Sequence, residues 1–246
     1  MILRMLIYMR NITERTIWGN FMHLPKAVIF DMDGLMLDTE TISLNARRKA
    51  IDMHGLKIDD QWLYDIIGMN SKGADEYFRQ KLGYPLPDEV GSTGSQFYQD
   101  HIDSHGIDLK DGIVELLEYL DANNIPRAVA TSTREIMAHK KLKLTGIHHW
   151  FDKIICGDQV ENSKPAPDIY LKAAYLLGTQ PRDCLALEDS DNGSKAAHAA
   201  GMDLIVVPDL KQPSDQTNEM AHKVVKNLHD VKSYLMTLSQ ATKLQA

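Results

Sequence analysis

Lys26-Ala-Val-Ile-Phe-Asp31-Met-Asp33-Gly34 is the stretch on which the fold turns. Its apolar run is short, unbroken and closed by acids and a glycine. A strand with one wet face would alternate apolar and polar residues. An unbroken run reads as a strand buried on both faces, as in a parallel sheet. The same grammar returns further along the chain, in Pro126-Arg-Ala-Val-Ala-Thr131, Phe151-Asp-Lys-Ile-Ile-Cys156, Cys184-Leu-Ala-Leu-Glu188 and Leu204-Ile-Val-Val207. Helical spacing lies between these runs. One helix follows Asp111, read as its N-cap residue, and another starts from Ser132. A third runs from Pro167 to Leu177 and closes at Gly178, and a small-residue helix stops at Gly201. Alternating strands and helices predict an α/β fold around a parallel sheet.

One stretch breaks the alternation. Thr39 to His54 has a helical pattern ended by Gly55, and residues up to about 110 stay helical or polar. Breaks fall at Gly83-Tyr-Pro85-Leu-Pro87 and between Gly91 and Gly94, with no strand signal. An inserted all-helical cap subdomain is the simplest account. The division expected is an N-terminal extension over 1–24, a catalytic core over 25–40 and 111–235, and the cap over 41–110.

The chain has 246 residues, 43% of them apolar, enough for a core. No apolar run reaches the roughly 18 residues that cross a bilayer, so no membrane role is expected. Met1 to Met9 is apolar but broken by Arg4, with Arg10 close behind and no small-residue cleavage signature, unlike a signal peptide. The segment up to about His23 reads as an extra helix, a tail or an upstream start, with Met22 an alternative start. The formal net charge is −7 without a basic block, which argues against a nucleic-acid partner. Cys156 and Cys184 each sit in a strand-like run and read as reduced core thiols, as in a cytoplasmic protein.

In open parallel sheets, ligands sit beyond the carboxyl ends of the strands. Those ends carry Asp31 and Asp33, then Thr131 and Ser132, then Glu188 and Asp189, with Ser163-Lys164-Pro165 between. Converging there, the four carboxylates would repel one another unless a cation joined them. A hard ion with oxygen ligands answers that need, and Mg²⁺ suits phosphates best. Lys164 adds a positive charge. Ser132-Thr-Arg-Glu135 matches a capping box, which would set a phosphate-binding helix N-terminus at the second strand's end. Asp31 can then attack phosphorus, while Asp33 protonates the leaving oxygen and later deprotonates water. Asp33-Gly34 with Glu40 imitates a calcium loop, but Ile29 would fall at the first ligand position and cannot ligate.

With these residues in view, the sequence resembles the haloacid dehalogenase-like hydrolases. Asp31-Met-Asp33-Gly-Leu-Met-Leu-Asp38-Thr-Glu40 looks like their first motif, Thr131-Ser132 the second, Lys164-Pro165 the third and Glu188-Asp189-Ser190 the fourth. Glu188 through Gly193 and Ala196 through Gly201 are similar to the β-phosphoglucomutase-like and sugar-phosphatase-like branch. The resemblance covers about residues 25 to 210. It implies a Rossmann-like core with a helical cap inserted after the first motif. It implies Asp31 as nucleophile, Asp33 as acid/base, Thr131 as a phosphate ligand and Lys164 as the group steadying both nucleophile and phosphate. Mg²⁺ would be held by Asp31, the backbone carbonyl of Asp33 and Asp189, with Glu188 helping directly or through water. Mutases of this branch carry an arginine in a G-x-x-R cap loop. Here the stretch is Gly68-Met-Asn70-Ser71, with serine in that place and Lys72 after it. That departure favours hydrolysis of a small phosphorylated metabolite, a sugar phosphate or related compound, over a phosphosugar mutase. A silent binding protein on the same fold is disfavoured by the intact acids.

Asn70, Ser71 and Lys72 are the substrate-contact candidates of the cap, with Ser132 on the core side. Arg47 and Arg48 read as an exposed helix face. His101 and His105 have the spacing of a helical metal pair but no acidic partner between them. His148 and His149 read as surface loop. Asp158 either sits near the metal or caps a turn. Asp38 and Glu40 read as hinge or solvated acids.

Overall fold

The structure, a computed structural model, describes residues 24–69 and 71–245. The expected extension up to residue 23, and Asn70, lie outside the described residues. The chain begins with β1 (Ala27–Phe30) and then runs through four helices, α1 (Thr39–Met53), α2 (Asp60–Asp65), α3 (Ser71–Leu82) and α4 (Asp88–His105). It returns through α5 (Ile113–Ala122), β2 (Arg127–Ala130), α6 (Glu135–Leu144), β3 (Lys153–Ile155), α7 (Asp168–Leu176) and β4 (Cys184–Glu188). It closes with α8 (Asp191–Ala199), β5 (Asp203–Val206), α9 (Asp215–Met220), β6 (Lys223–Val224) and α10 (Leu228–Gln245).

The strands form one parallel sheet in the order β3-β2-β1-β4-β5-β6. β1 lies inside it, and its four residues have no exposed surface. Successive strand side chains point to opposite faces. Ala27 and Ile29 therefore pack with α7 and α8, while Val28 and Phe30 pack with α5, α6 and α10. Burying a side chain such as Ile29 or Phe30 stabilises by about 1.5–3 kcal/mol each, which is why this run tolerates no polar residue. The closing helix continues past residue 235 to Gln245.

The helices α1 to α4 form the cap. It has its own apolar cluster, including Ile51, Leu63, Ala74, Phe78 and Val90. The two chain segments that join cap to core lie side by side. Leu37 pairs with both Asp33 and Leu109, Asp38 N donates to Asp108 O, and Lys110 N donates to Met36 O. Across the cleft, Asn192 Nδ2 donates to Gly68 O at 3.2 Å and Lys211 Nζ to Asp65 O at 3.3 Å.

Three local expectations are corrected. Asp111 does not cap α5. Gly112 holds the N-cap position at φ 87°, pressed against the His229 backbone, and Asp111 pairs instead with His229 Nε2 at 3.1 Å. Ser132 and Glu135 form no capping box. The helix starts only at Glu135, whose N–H donates to Asp158 Oδ1 at 3.0 Å. β6 was not anticipated, being a two-residue exposed edge without an apolar pattern. Both cysteines are free and buried. Among the described residues no helix is long and apolar enough to cross a membrane.

Candidate active site

The parallel register brings the ends of β1 and β4 together, since Phe30 pairs with Leu187 and Asp31 N donates to Leu187 O. Asp31 is buried there. Lys164, from the loop ahead of α7, reaches in from the side. Its Nζ lies 2.5 Å from Asp31 Oδ1 and 2.6 Å from Glu188 Oε1. Tyr170 on α7 donates its hydroxyl to the same Glu188 oxygen at 2.7 Å. The other oxygen, Oε2, accepts from Asp189 N, Ser190 N and Ser190 Oγ. Both Glu188 oxygens are thus engaged, so this side chain anchors Lys164 and the start of α8.

That anchor explains Gly193. A Cβ there would overlap the Glu188 carboxylate itself. Gly193→Ala is expected to cost about 2–5 kcal/mol in denaturant unfolding, on the scale of overpacking plus a broken buried network. A loss below 0.5 kcal/mol would refute the crowding.

Ligand atoms of Asp31, Glu188 and Asp189 lie within 4.8 Å of one another. Burial pushes the Asp31 carboxyl up to about 7, Lys164 pulling the other way and Glu188 and Asp33 adding to the rise. Asp189 is pushed well above the carboxylate range by burial, then by Asp31, Glu188 and Glu40. Among the described residues no donor reaches the Asp189 side chain. Crowded, desolvated carboxylate oxygens with an unmatched member are the donor set a hard cation takes, and they fit Mg²⁺.

Asp33 lies just beyond Asp31 but in a different field. Burial alone would raise it. The Lys141 ammonium, 2.6 Å from Oδ1, outweighs that, together with hydrogen bonds from Thr133 and Thr39, and holds it below the usual range. Thr39 Oγ1 donates to Oδ1 at 2.8 Å and Thr133 Oγ1 to Oδ2 at 2.6 Å. None of these three residues was a sequence candidate. A signal for Lys141 existed. It shares a helix face with the buried Ala138 and Leu142, and a lysine in such company needs a partner.

The other candidates distribute as follows. Thr131 is buried at the end of β2, and its Oγ1 accepts from Thr133 N at 3.1 Å. Ser132 beside it is exposed, its backbone against Gly157. Ser71 and Lys72 open α3 on the cap. Gly68 and Met69 line one cleft, of about 190 Å³, with Asp189 and Ser190. Arg48 pairs with Asp60. Arg47 is not the exposed residue expected. It is half-buried, in the field of Asp75 and Glu40, and its guanidinium has no hydrogen bond or ion pair among the described residues. Glu40 faces the core acids, and burial plus the charges of Asp33 and Asp209 push it to about 7. Asp158 serves the N-terminus of α6. His101 and His105 stack on each other at 4.8 Å, and His148 bonds His139 at 2.8 Å.

A family profile for haloacid dehalogenase-like hydrolases matches residues 28–207. A probable pseudouridine-5'-phosphatase of Drosophila melanogaster is 32% identical over 210 residues, covering 83% of this chain and 90% of the relative. A fructose-1-phosphate phosphatase of Escherichia coli is 30% identical over 194 residues, covering 73% and 95%. The crystal structure of a putative β-phosphoglucomutase from Thermotoga maritima superposes with a TM-score of 0.71 at 27% identity, covering 86% of this chain and 98% of its own. With its acids at the ends of β1 and β4 and four helices inserted behind the first of them, the chain belongs to the haloacid dehalogenase-like hydrolase family, in the branch that carries a helical cap.

Proposed function

We propose that the protein is a Mg²⁺-dependent phosphatase that hydrolyses a small phosphorylated metabolite, a sugar phosphate above all, through an aspartyl-phosphate on Asp31. The observation that carries this reading is the division of the acids. Asp31 is crowded against Asp189 and Lys164, while Asp33, two residues on, has its own separate set of donors. Bound Mg²⁺, held by Asp31, the Asp33 carbonyl and Asp189, would neutralise charge on the transferring group. Glu188 supports that site indirectly, through Lys164 and the backbone of Asp189.

An Asp31 oxygen attacks phosphorus, and the bond to the leaving oxygen breaks. Asp33, ionised among its donors at rest, takes up a proton from solvent as substrate binds and gives it to that oxygen. Asp33 then takes a proton from water, the water oxygen attacks phosphorus, and the carboxylate of Asp31 is released with inorganic phosphate. Thr131 and Ser132 hold phosphate oxygens, and Lys164 keeps Asp31 aimed. Asn70, Ser71, Lys72 and Arg47 are the cap groups assigned to the leaving group. Serine at position 71 supports transfer to water over return to the sugar, because the cap loop itself offers a second phosphate no bidentate arginine. The Drosophila and Escherichia relatives are named for sugar-containing phosphates, which supports the substrate class.

The test is inorganic phosphate release from sugar phosphates, nucleotides and other phosphorylated metabolites, with Mg²⁺ and with chelator. Release that needs Mg²⁺ and is at least about 10-fold faster on sugar phosphates is the expected result. No release from any compound by folded protein that binds Mg²⁺ would overturn the reading.

A further inference from the structure

Lys141 is the feature that the proposed mechanism leaves without a task. It sits on α6, its side chain is 7% exposed, and a buried ammonium needs a partner. Its ion-pair partner is Asp33, at 2.6 Å. Nζ also lies 5.3 Å from the centre of the Tyr98 ring, close enough for the ring and its hydroxyl to act on the ammonium. Tyr98 belongs to α4, a cap helix. The remaining donors to Asp33 are Thr133, from the loop after β2, and Thr39, the first residue of α1. The acid is therefore held by a core helix, a core loop and the cap entrance at once.

Without Lys141, Asp33 would keep two hydroxyl donors while facing the charges of Asp31 and Glu40. Two neutral hydrogen bonds fix a carboxylate less firmly than the same two with an ammonium beside them. Proton transfer needs the carboxyl within hydrogen-bond reach of the reacting oxygen, and small misplacements are costly.

We propose that Lys141 is a positioning residue for both proton transfers, holding Asp33 at the reacting oxygens, and that Tyr98 makes this hold depend on the cap. The proposal rests on the phosphatase reading above. When the ester bond breaks, its electron pair stays on the leaving oxygen, which takes the proton of Asp33. In the second half, water loses a proton to the Asp33 oxygen as it bonds to phosphorus, and the phosphorus–Asp31 bond breaks.

The test compares p-nitrophenyl phosphate with an alkyl phosphate such as a hexose phosphate, in the wild type, Lys141→Met, Lys141→Arg and Tyr98→Phe. Nitrophenolate leaves without a proton, so its release needs Asp31 but not a well-placed Asp33. Lys141→Met should give a rapid burst of one nitrophenolate per site, then turnover about 100-fold slower than wild type. On the alkyl phosphate it should show no burst and at least the same loss. Tyr98→Phe should show the same pattern at about 5–10-fold, and Lys141→Arg should recover part of the turnover. Wild-type turnover in Lys141→Met, or loss of burst and turnover together in folded protein, overturns the proposal and leaves the phosphatase standing. If Lys141→Met does not fold, Lys141→Arg and Tyr98→Phe decide by the same burst. A wild type inactive on both substrates fails the phosphatase reading and this one with it.

Discussion

Asp31→Asn should lower phosphate release by roughly 10,000-fold or more while leaving a well-folded protein. An amide cannot supply the oxygen nucleophile, and neither Asp33 nor Glu188 is free to replace it. Asp33 is tied to Lys141, and Glu188 has both oxygens engaged. The stability effect has a definite sign. A carboxyl whose pKa rises on folding, here to about 7, contributes stability that is present below its unfolded value and lost as pH climbs through 7. At pH 8 without metal, ionised Asp31 therefore works against the fold, and Asn removes that charge. Calorimetry in chelator at pH 8 should find the variant melting at or above the wild type. Activity within 100-fold of wild type would remove Asp31 from the nucleophile's role.

Lys164→Met should damage both stability and activity. The ammonium touches Asp31 and Glu188 and is itself buried. Removing it leaves two desolvated carboxylates without their shared cation, the case in which a broken buried pair costs about 3–5 kcal/mol. Catalysis should fall by about 1,000-fold, on the scale of a lost charge-stabilising donor. Lys164→Arg should rescue little, because the planar guanidinium does not fit a point-charge site shared by two acids and Tyr170. Denaturant unfolding and steady-state kinetics on the same preparation would check both halves. A stability loss under 1 kcal/mol would show that the pair is not the anchor described above.

Much of this site was legible because its residues sit at the ends of apolar runs. Asp31, Thr131 and Glu188 each close a buried strand, and the register places those ends side by side. The residues missed were those whose meaning depends on packing between elements. Lys141 follows Lys140, and only its spacing from Ala138 and Leu142 hints that it leaves the solvated face. Tyr98 lies over 40 positions from Lys141 in the chain and meets it only through the fold. The false capping box failed for a local reason. Thr133 turns back onto Thr131 and Asp33, so the helix cannot begin before Glu135. β6 was invisible because its Lys223 and Val224 are both exposed and carry no pattern.

The central place of β1 has a consequence for how the chain is made. The strand leaves the ribosome first among the six, yet it pairs only with β2 and β4. Lys26 at its edge meets Asp183, 157 residues later. At about 5–20 residues per second, synthesis leaves the Ala27–Phe30 segment without its second neighbour for roughly 8–30 seconds. The helical cap, whose contacts are more local, can assemble during that wait. Nascent chains arrested before Cys184 should therefore protect cap amides while the first strand remains open to chaperones, and the sheet should close only as the second half emerges.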